Sequence, residues 1–268
     1  MPIAKVNGIE LYYELEGSGK PLVFISGYTN HLNQWALLRP ELAKHYQLLL
    51  FDNRGVGRSA SPDTPYTIDQ MAEDTAALIR FLGLEKPHVF ARSMGSGIGQ
   101  TLAVKYPALV DKLVLNNPLI QLSPAVTQAF RWLLTMRNTG LPTDLLFEGA
   151  IPWLFSNQFM ANPQNIKALA TLVKNDPYPQ SIIGQTRQLE ALVAFNSRAW
   201  FREISAPTLV ITGEEDLCTP LKDSQDLAAG IPDAQLVVLP KMAHATTVEA
   251  PEDLCRFTLD FLQPSTTV

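Results

Sequence analysis

Three polar residues far apart in the chain are of types that together perform acyl transfer. Ser93 ends the apolar run Val89–Ala91 and opens a segment of helical character, with Ala91 two positions before it and Gly95 two positions after. A serine hydroxyl is a weak nucleophile at neutral pH, so it needs a base to take its proton and a third group to orient that base. His244 suits the base: it follows the apolar run Gln235–Leu239 in the short loop Pro240–Ala243 and precedes a terminal amphipathic segment. Asp216 suits the third role, in the loop Gly213–Pro220 after the run Pro207–Thr212. It lies deeper in that loop than Glu214 and Glu215, which read as solvated, and a short carboxylate held by backbone orients an imidazole well. His45 and His88 read as structural or exposed. His31, in the loop after an early strand, is a candidate either for substrate contact or for a local hydrogen bond.

The elements that must position these residues follow from periodicity. Short apolar runs bounded by Gly, Pro, Asn or Asp alternate with segments of helical period, the α/β pattern. Strands are predicted at Ile9–Leu15, Leu22–Ser26, Tyr46–Phe51, Pro87–Ala91, Val110–Asn116, Thr208–Thr212 and Gln235–Leu239, with the last five buried and parallel. Helices are predicted over Ile68–Leu82, Gly95–Tyr106, Lys222–Gly230 and Pro251–Leu262. Asp216 and His244 thus emerge from the carboxyl ends of strands, where open α/β sheets place their sites. Ser93 sits between a strand and the N-terminus of a helix, whose amide groups favour negative charge. Between 117 and 205 the alternation gives way to a helical, aromatic-rich stretch holding Phe130, Trp132, Phe147, Trp153, Phe155, Phe159, Phe195, Trp200 and Phe201. The expected organisation is a core of 1–116 and 206–268 with a helical cap, 117–205, inserted in it. Most of the aromatics are expected to form the cap's own core; Trp153 and Phe155 are candidates for lining a substrate pocket.

Bulk properties narrow the function classes. With 46% hydrophobic and 18% charged residues among 268, the chain has ample material for one large core. A net charge of −5 and the absence of any Lys or Arg run give no reason to expect nucleic acid or an anionic membrane as partner. Two cysteines, Cys218 and Cys255, make no disulfide framework. No secretory leader or spanning segment is expected, so a cytoplasmic location is, and the tail 264–268 is expected to fray.

The segment Ala91-Arg92-Ser93-Met94-Gly95 resembles the nucleophile elbow Gly-x-Ser-x-Gly, with Ala91 in place of the first glycine. The order nucleophile, acid, histidine matches the α/β-hydrolase family, and the similarity covers nearly the whole chain. Phe24-Ile25-Ser26-Gly27-Tyr28 is similar to the family's strand and oxyanion loop, with Ser26 where a histidine is usual and Trp35 where tryptophan is frequent. Asp52-Asn53-Arg54-Gly55-Val56-Gly57-Arg58-Ser59 is similar to its Asp-x-Arg-Gly-x-Gly-x-Ser turn, and His244, Glu249 and Pro251 match its His-x-x-x-x-Glu-x-Pro ending. The resemblance implies the α/β-hydrolase fold, a mostly parallel central sheet flanked by helices with an inserted helical cap. It implies a serine hydrolase with an oxyanion hole formed by the backbone N–H groups of Tyr28 and Met94, and neither metal nor organic cofactor. Its pattern is nearest the enol-lactonase and small-ester carboxylesterase branch, hence a small-molecule ester or lactone as substrate. A pimeloyl-carrier methyl ester esterase is the neighbouring alternative; it would meet an acyl carrier protein through basic residues such as Arg131, Arg137 and Lys174. Carbon–carbon bond hydrolysis and a non-catalytic ligand receptor are further alternatives, and Ser93 itself argues against dehalogenases and epoxide hydrolases. Arg92, where the family often has His or Asn, is expected to form a local salt bridge or to touch a substrate carboxylate.

Overall fold

The computed structural model describes residues 2–263; the tail expected to fray lies outside them. The apolar runs form one eight-stranded sheet in the order β1-β2-β4-β3-β5-β6-β7-β8. The strands are β1 Ile3–Val6, β2 Ile9–Glu16, β3 Pro21–Ile25, β4 Gln47–Phe51, β5 His88–Arg92, β6 Leu113–Asn116, β7 Thr208–Gly213 and β8 Ala234–Leu239. β1, β2 and β4 are joined antiparallel, and every pairing from β4 across to β8 is parallel. The helices are α1 Arg39–Leu42, α2 Ile68–Phe81, α3 Met94–Lys105, α4 Pro124–Asn138, α5 Thr143–Leu154, α6 Asn157–Met160, α7 Pro163–Lys174, α8 Ile182–Ala194, α9 Leu221–Gly230, α10 Thr246–Glu249 and α11 Pro251–Leu262. This is the architecture of the α/β-hydrolase fold.

Successive side chains of a strand point to opposite faces, and in β3 to β7 both faces are covered, which is why these strands read as unbroken apolar runs. Leu22, Phe24, Leu48, Leu50 and Phe90 turn to one layer and meet Trp35, Leu38, Leu42 and Leu254. Val23, Ile25, Leu49, Phe51, Val89 and Ala91 turn to the other and meet Met71, Leu78, Ile98 and Leu102 of α2 and α3. The chain therefore leaves β3 toward the α1/α11 layer and leaves β5 toward the α2/α3 layer. Loops from neighbouring parallel strands diverge at such a switch point, opening a crevice at the strands' carboxyl ends. The loop after β3 carries Gly27 and Tyr28; the turn after β5 carries Ser93.

Two strand expectations need correction. The segment Gln235–Leu239 is parallel but not buried: as β8 it is the sheet's last strand, with a neighbour on one side only, and Leu236 and Val238 are 36% and 37% exposed. A strand not anticipated, β1, hairpins onto β2 through Asn7-Gly8, both at positive φ (49° and 73°), a two-residue turn signal present in the sequence. The chain between β6 and β7 is helical, α4 to α8, and is bound to the core at several points. Gln180 Nε2 donates to Gly55 O (2.8 Å), Gln188 Nε2 to Arg54 O (2.9 Å), and Ala245 N to Leu154 O (2.8 Å). Glu249 accepts from the Ser156 N–H and hydroxyl at the start of α6. Among the described residues no helix is long and apolar enough to cross a membrane.

Candidate active site

The turn from β5 into α3 is tight enough to force Ser93 into a conformation side chains avoid, φ 54° and ψ −124°. Neighbouring hydrogen bonds over-determine it: Ser93 N donates to Asn116 O of β6 (3.0 Å), and Ser93 O accepts from Ser96 N (2.8 Å). The small flanking residues have direct steric reasons. A Cβ on Gly95 would lie 2.2 Å from Ile25 O, so α3 starts in contact with the β3 backbone. Ala91 is tolerated where glycine is usual because the residue facing it on α3 is Gly99, whose own Cβ would come within 2.8 Å of the Ala91 methyl.

The structure brings Ser93, His244 and Asp216 together. His244 Nε2 lies 2.9 Å from Ser93 Oγ, and His244 Nδ1 lies 2.8 Å from Asp216 Oδ2. Asp216 and His244 are buried, whereas Ser93 is partly open, so the hydroxyl is the member of the chain that a ligand can reach. Asp216 Oδ2 also accepts from Asn117 Nδ2 and Thr219 Oγ1 (both 2.7 Å), and Oδ1 accepts from the backbone N–H groups of Cys218 (2.8 Å) and Thr219 (2.9 Å). Burial by itself would raise this carboxyl's pKa; attraction and hydrogen bonding from His244, with the Thr219 bonds, outweigh it and hold the pKa below the ordinary aspartate value. Such an ionised acid fixes the imidazole with its proton on Nδ1 and leaves Nε2 free to accept from Ser93 Oγ. Glu214 is exposed and Glu215 half-buried, its contact being with Asn157 at the start of α6. Asn117 escaped sequence reading. It follows β6 at φ 46°, a region asparagine enters more readily than most residues, and the Asn116-Asn117-Pro118 stretch after a strand was the available signal.

The remaining candidates fall in different places. The backbone N–H groups of Tyr28 and Met94 donate to no acceptor among the described residues; Met94 follows Ser93 directly, and Tyr28 follows Gly27, on which a Cβ would lie 3.2 Å from Ser93 Cβ. Ser26, in the usual histidine position, accepts from Trp35 Nε1 (3.0 Å), while its carbonyl accepts from Asn53 Nδ2 (3.0 Å). His31 accepts at Nδ1 from Asn33 N (3.3 Å), a local hydrogen bond, and its Nε2 lies 3.0 Å from Asp176 Oδ1 in the chain between β6 and β7. Trp153 packs partly buried against the main core. Phe155 is buried with Ile151, Phe147, Phe159 and Ala245, in a small apolar cluster that joins α5 and α6 to the residue after His244. Arg92 corrects the local salt bridge expected of it. It forms no ion pair among the described residues and lies buried, donating to the His244 carbonyl. The spacing of the sequence shows no metal cluster, yet Asp216, Cys218 and His244 bring ligand atoms within 4.8 Å of one another. Those atoms are committed elsewhere: Asp216 is filled by its five donors, and burial pushes the Cys218 thiol pKa up while its Sγ–H meets Trp153 O (3.1 Å).

A profile of the alpha/beta hydrolase fold family matches residues 20–251, from the start of β3 to the start of α11. The chain belongs to the α/β-hydrolase family. Among curated members it is 31% identical to a proposed carbamate hydrolase, RutD, of Caulobacter sp. (strain K31), over 94% of this chain and 95% of that protein. Among solved members it is 27% identical to the enol-lactonase from Burkholderia xenovorans LB400, with a TM-score of 0.87 over 97% of this chain and 99% of that one. It is 26% identical to a thermophilic esterase from Thermogutta terrifontis, with a TM-score of 0.85 over 98% of each. Fold and family are shared; the reaction must be argued from the site.

Proposed function

We propose that this α/β-hydrolase cleaves a small carboxylic ester or lactone through an acyl-enzyme, with Ser93 as nucleophile, His244 as general base and acid, and Asp216 orienting the imidazole. The observation that carries the reading is the unbroken hydrogen-bonded chain Asp216–His244–Ser93, at 2.8 and 2.9 Å, ending on a strained, partly open serine. His244 Nε2 takes the Ser93 proton as Oγ bonds to the substrate carbonyl carbon, and the carbonyl electron pair moves onto its oxygen. The free N–H groups of Tyr28 and Met94 receive that oxyanion; donors preorganised in this way are worth about 3 kcal/mol of transition-state stabilisation each. The pair returns, the C–O bond to the leaving alcohol breaks, and His244 protonates the departing oxygen. Water, deprotonated by His244, then releases the acid and restores Ser93.

A carbamate is the second reading, favoured by the function named for the curated relative. It presents the same triad with a carbonyl whose nitrogen lone pair makes attack harder. The test is labelling by a fluorophosphonate, beside turnover of p-nitrophenyl acetate, butyrate and a matched p-nitrophenyl carbamate. Labelling of the wild type and not of Ser93→Ala supports the nucleophile, and the ester-to-carbamate ratio of kcat/KM chooses between the readings. Absence of labelling refutes both.

A further inference from the structure

Arg92 immediately precedes Ser93, and its guanidinium is buried where an unpaired cation is costly. Among the described residues no carboxylate stands within ion-pair distance of it, although Asp216 is near enough to act against the lowering of its pKa that burial causes. Its polar contacts are neutral. Nη2 donates to the main-chain carbonyl of His244 at 2.8 Å, Nη1 to Gln34 Oε1 at 3.4 Å, and Nε has no partner. No other donor reaches the His244 carbonyl among the described residues. The group also fills the space beneath the β3 loop: a Cβ on Gly27 would lie 3.5 Å from Nη1 and 3.2 Å from Ser93 Cβ. One side chain thus touches the strand end that delivers the nucleophile, the loop that offers the Tyr28 amide and the backbone of the base.

We propose that Arg92 is a positioning residue, a strut from the end of β5 to the His244 carbonyl that sets the imidazole's reach to Ser93 Oγ. The inference rests on the triad reading above. A group kept only for packing would be better served by an apolar side chain, because a buried charge without a counter-charge carries a desolvation cost that an apolar group does not. Retaining the cation makes sense when its hydrogen bond holds a reacting group, where a misplacement on the order of 1 Å costs about a hundredfold in rate. Loss of the strut loosens the base without removing it, so a smaller effect is expected.

The experiment compares wild type, Arg92→Met and Arg92→Lys by two readouts. These are the rate of Ser93 phosphonylation by a fluorophosphonate, which does not depend on knowing the substrate, and the thermal midpoint. Arg92→Met is expected to slow phosphonylation roughly tenfold with an unchanged or higher midpoint, and Arg92→Lys, which can still donate to the carbonyl, to recover most of the rate. An unslowed Arg92→Met, a slow variant that also melts several degrees lower or fails to fold, or a lysine variant as slow as the methionine one, each overturns the strut while leaving the triad standing. A wild type that is not labelled overturns the triad reading, and the strut with it.

Discussion

Replacing Asp216 by asparagine tests the site most sharply, because the five donors around the carboxylate dictate how the new amide must sit. Two of them, the Cys218 and Thr219 backbone N–H groups on Oδ1, are fixed and cannot be reversed. The amide oxygen must therefore take the Oδ1 place, and its NH2 group must face His244, Asn117 and Thr219. The Thr219 hydroxyl can rotate to donate to the Asn117 main-chain carbonyl (3.1 Å) instead, whereas the Asn117 carboxamide is held by Asn116 Nδ2 on its Oδ1 (2.9 Å) and by its own bond to the Ala243 carbonyl (3.3 Å). His244 adapts by accepting at Nδ1, which moves its proton to Nε2, the atom 2.9 Å from Ser93 Oγ, where it can no longer take the serine proton. A wrong tautomer of this kind costs about 10⁴ in kcat, close to 5.5 kcal/mol at about 1.36 kcal/mol per decade. The assay is kcat on the best p-nitrophenyl ester together with the phosphonylation rate, with Glu215→Gln as a control expected to stay near wild type. A loss under tenfold in Asp216→Asn, or a larger loss in Glu215→Gln, would refute the assignment. The substitution has a pH signature as well. The lowered Asp216 pKa means its ionised form stabilises the fold above the unfolded aspartate pKa, and that contribution is lost as pH falls through the folded value. Asp216→Asn should accordingly flatten the acid limb of stability.

Ser93→Gly relieves the positive φ of 54° and is expected to raise stability by about 1 kcal/mol while abolishing labelling; a lower urea midpoint than wild type would show that no strain is stored there. Gly184→Ala should cost about 2 kcal/mol, because the added Cβ would stand 2.0 Å from Gly55 O, where α8 docks on the turn after β4. An unchanged midpoint would mean that this backbone contact does not hold α8 in place. Burial lowers the His88 pKa to about 4, partly opposed by Asp111, so its neutral form is the one the fold prefers. That contribution is complete above the unfolded histidine pKa of about 6.5 and is lost as pH falls toward the folded value. His88→Gln should therefore lose less thermal stability than wild type between pH 7 and 5, and an equal loss would remove His88 from the account.

Local sequence determined a good deal. The short apolar runs bounded by turn residues read as strands, and Ser93, Asp216 and His244 each stand where such a run has just ended. Where the reading failed, the missing quantity was the neighbour. Gln235–Leu239 has the composition of a buried strand, and its exposure follows only from lying last in the sheet. That Phe155 packs with Ile151, Phe147 and Ala245 is equally a matter of tertiary neighbours that its own sequence stretch does not show. Arg92 reads as a charge in search of a carboxylate, and only the tertiary arrangement supplies a carbonyl 152 residues away in its place. Asn117 gained its part from β6 lying between β5 and β7, which sets its amide against Asp216. Covalent neighbours dictate backbone preference and the alternation of faces. Distances between loops that are far apart in the chain are set by strand order and side-chain packing, and the chemistry of this site is written in those distances.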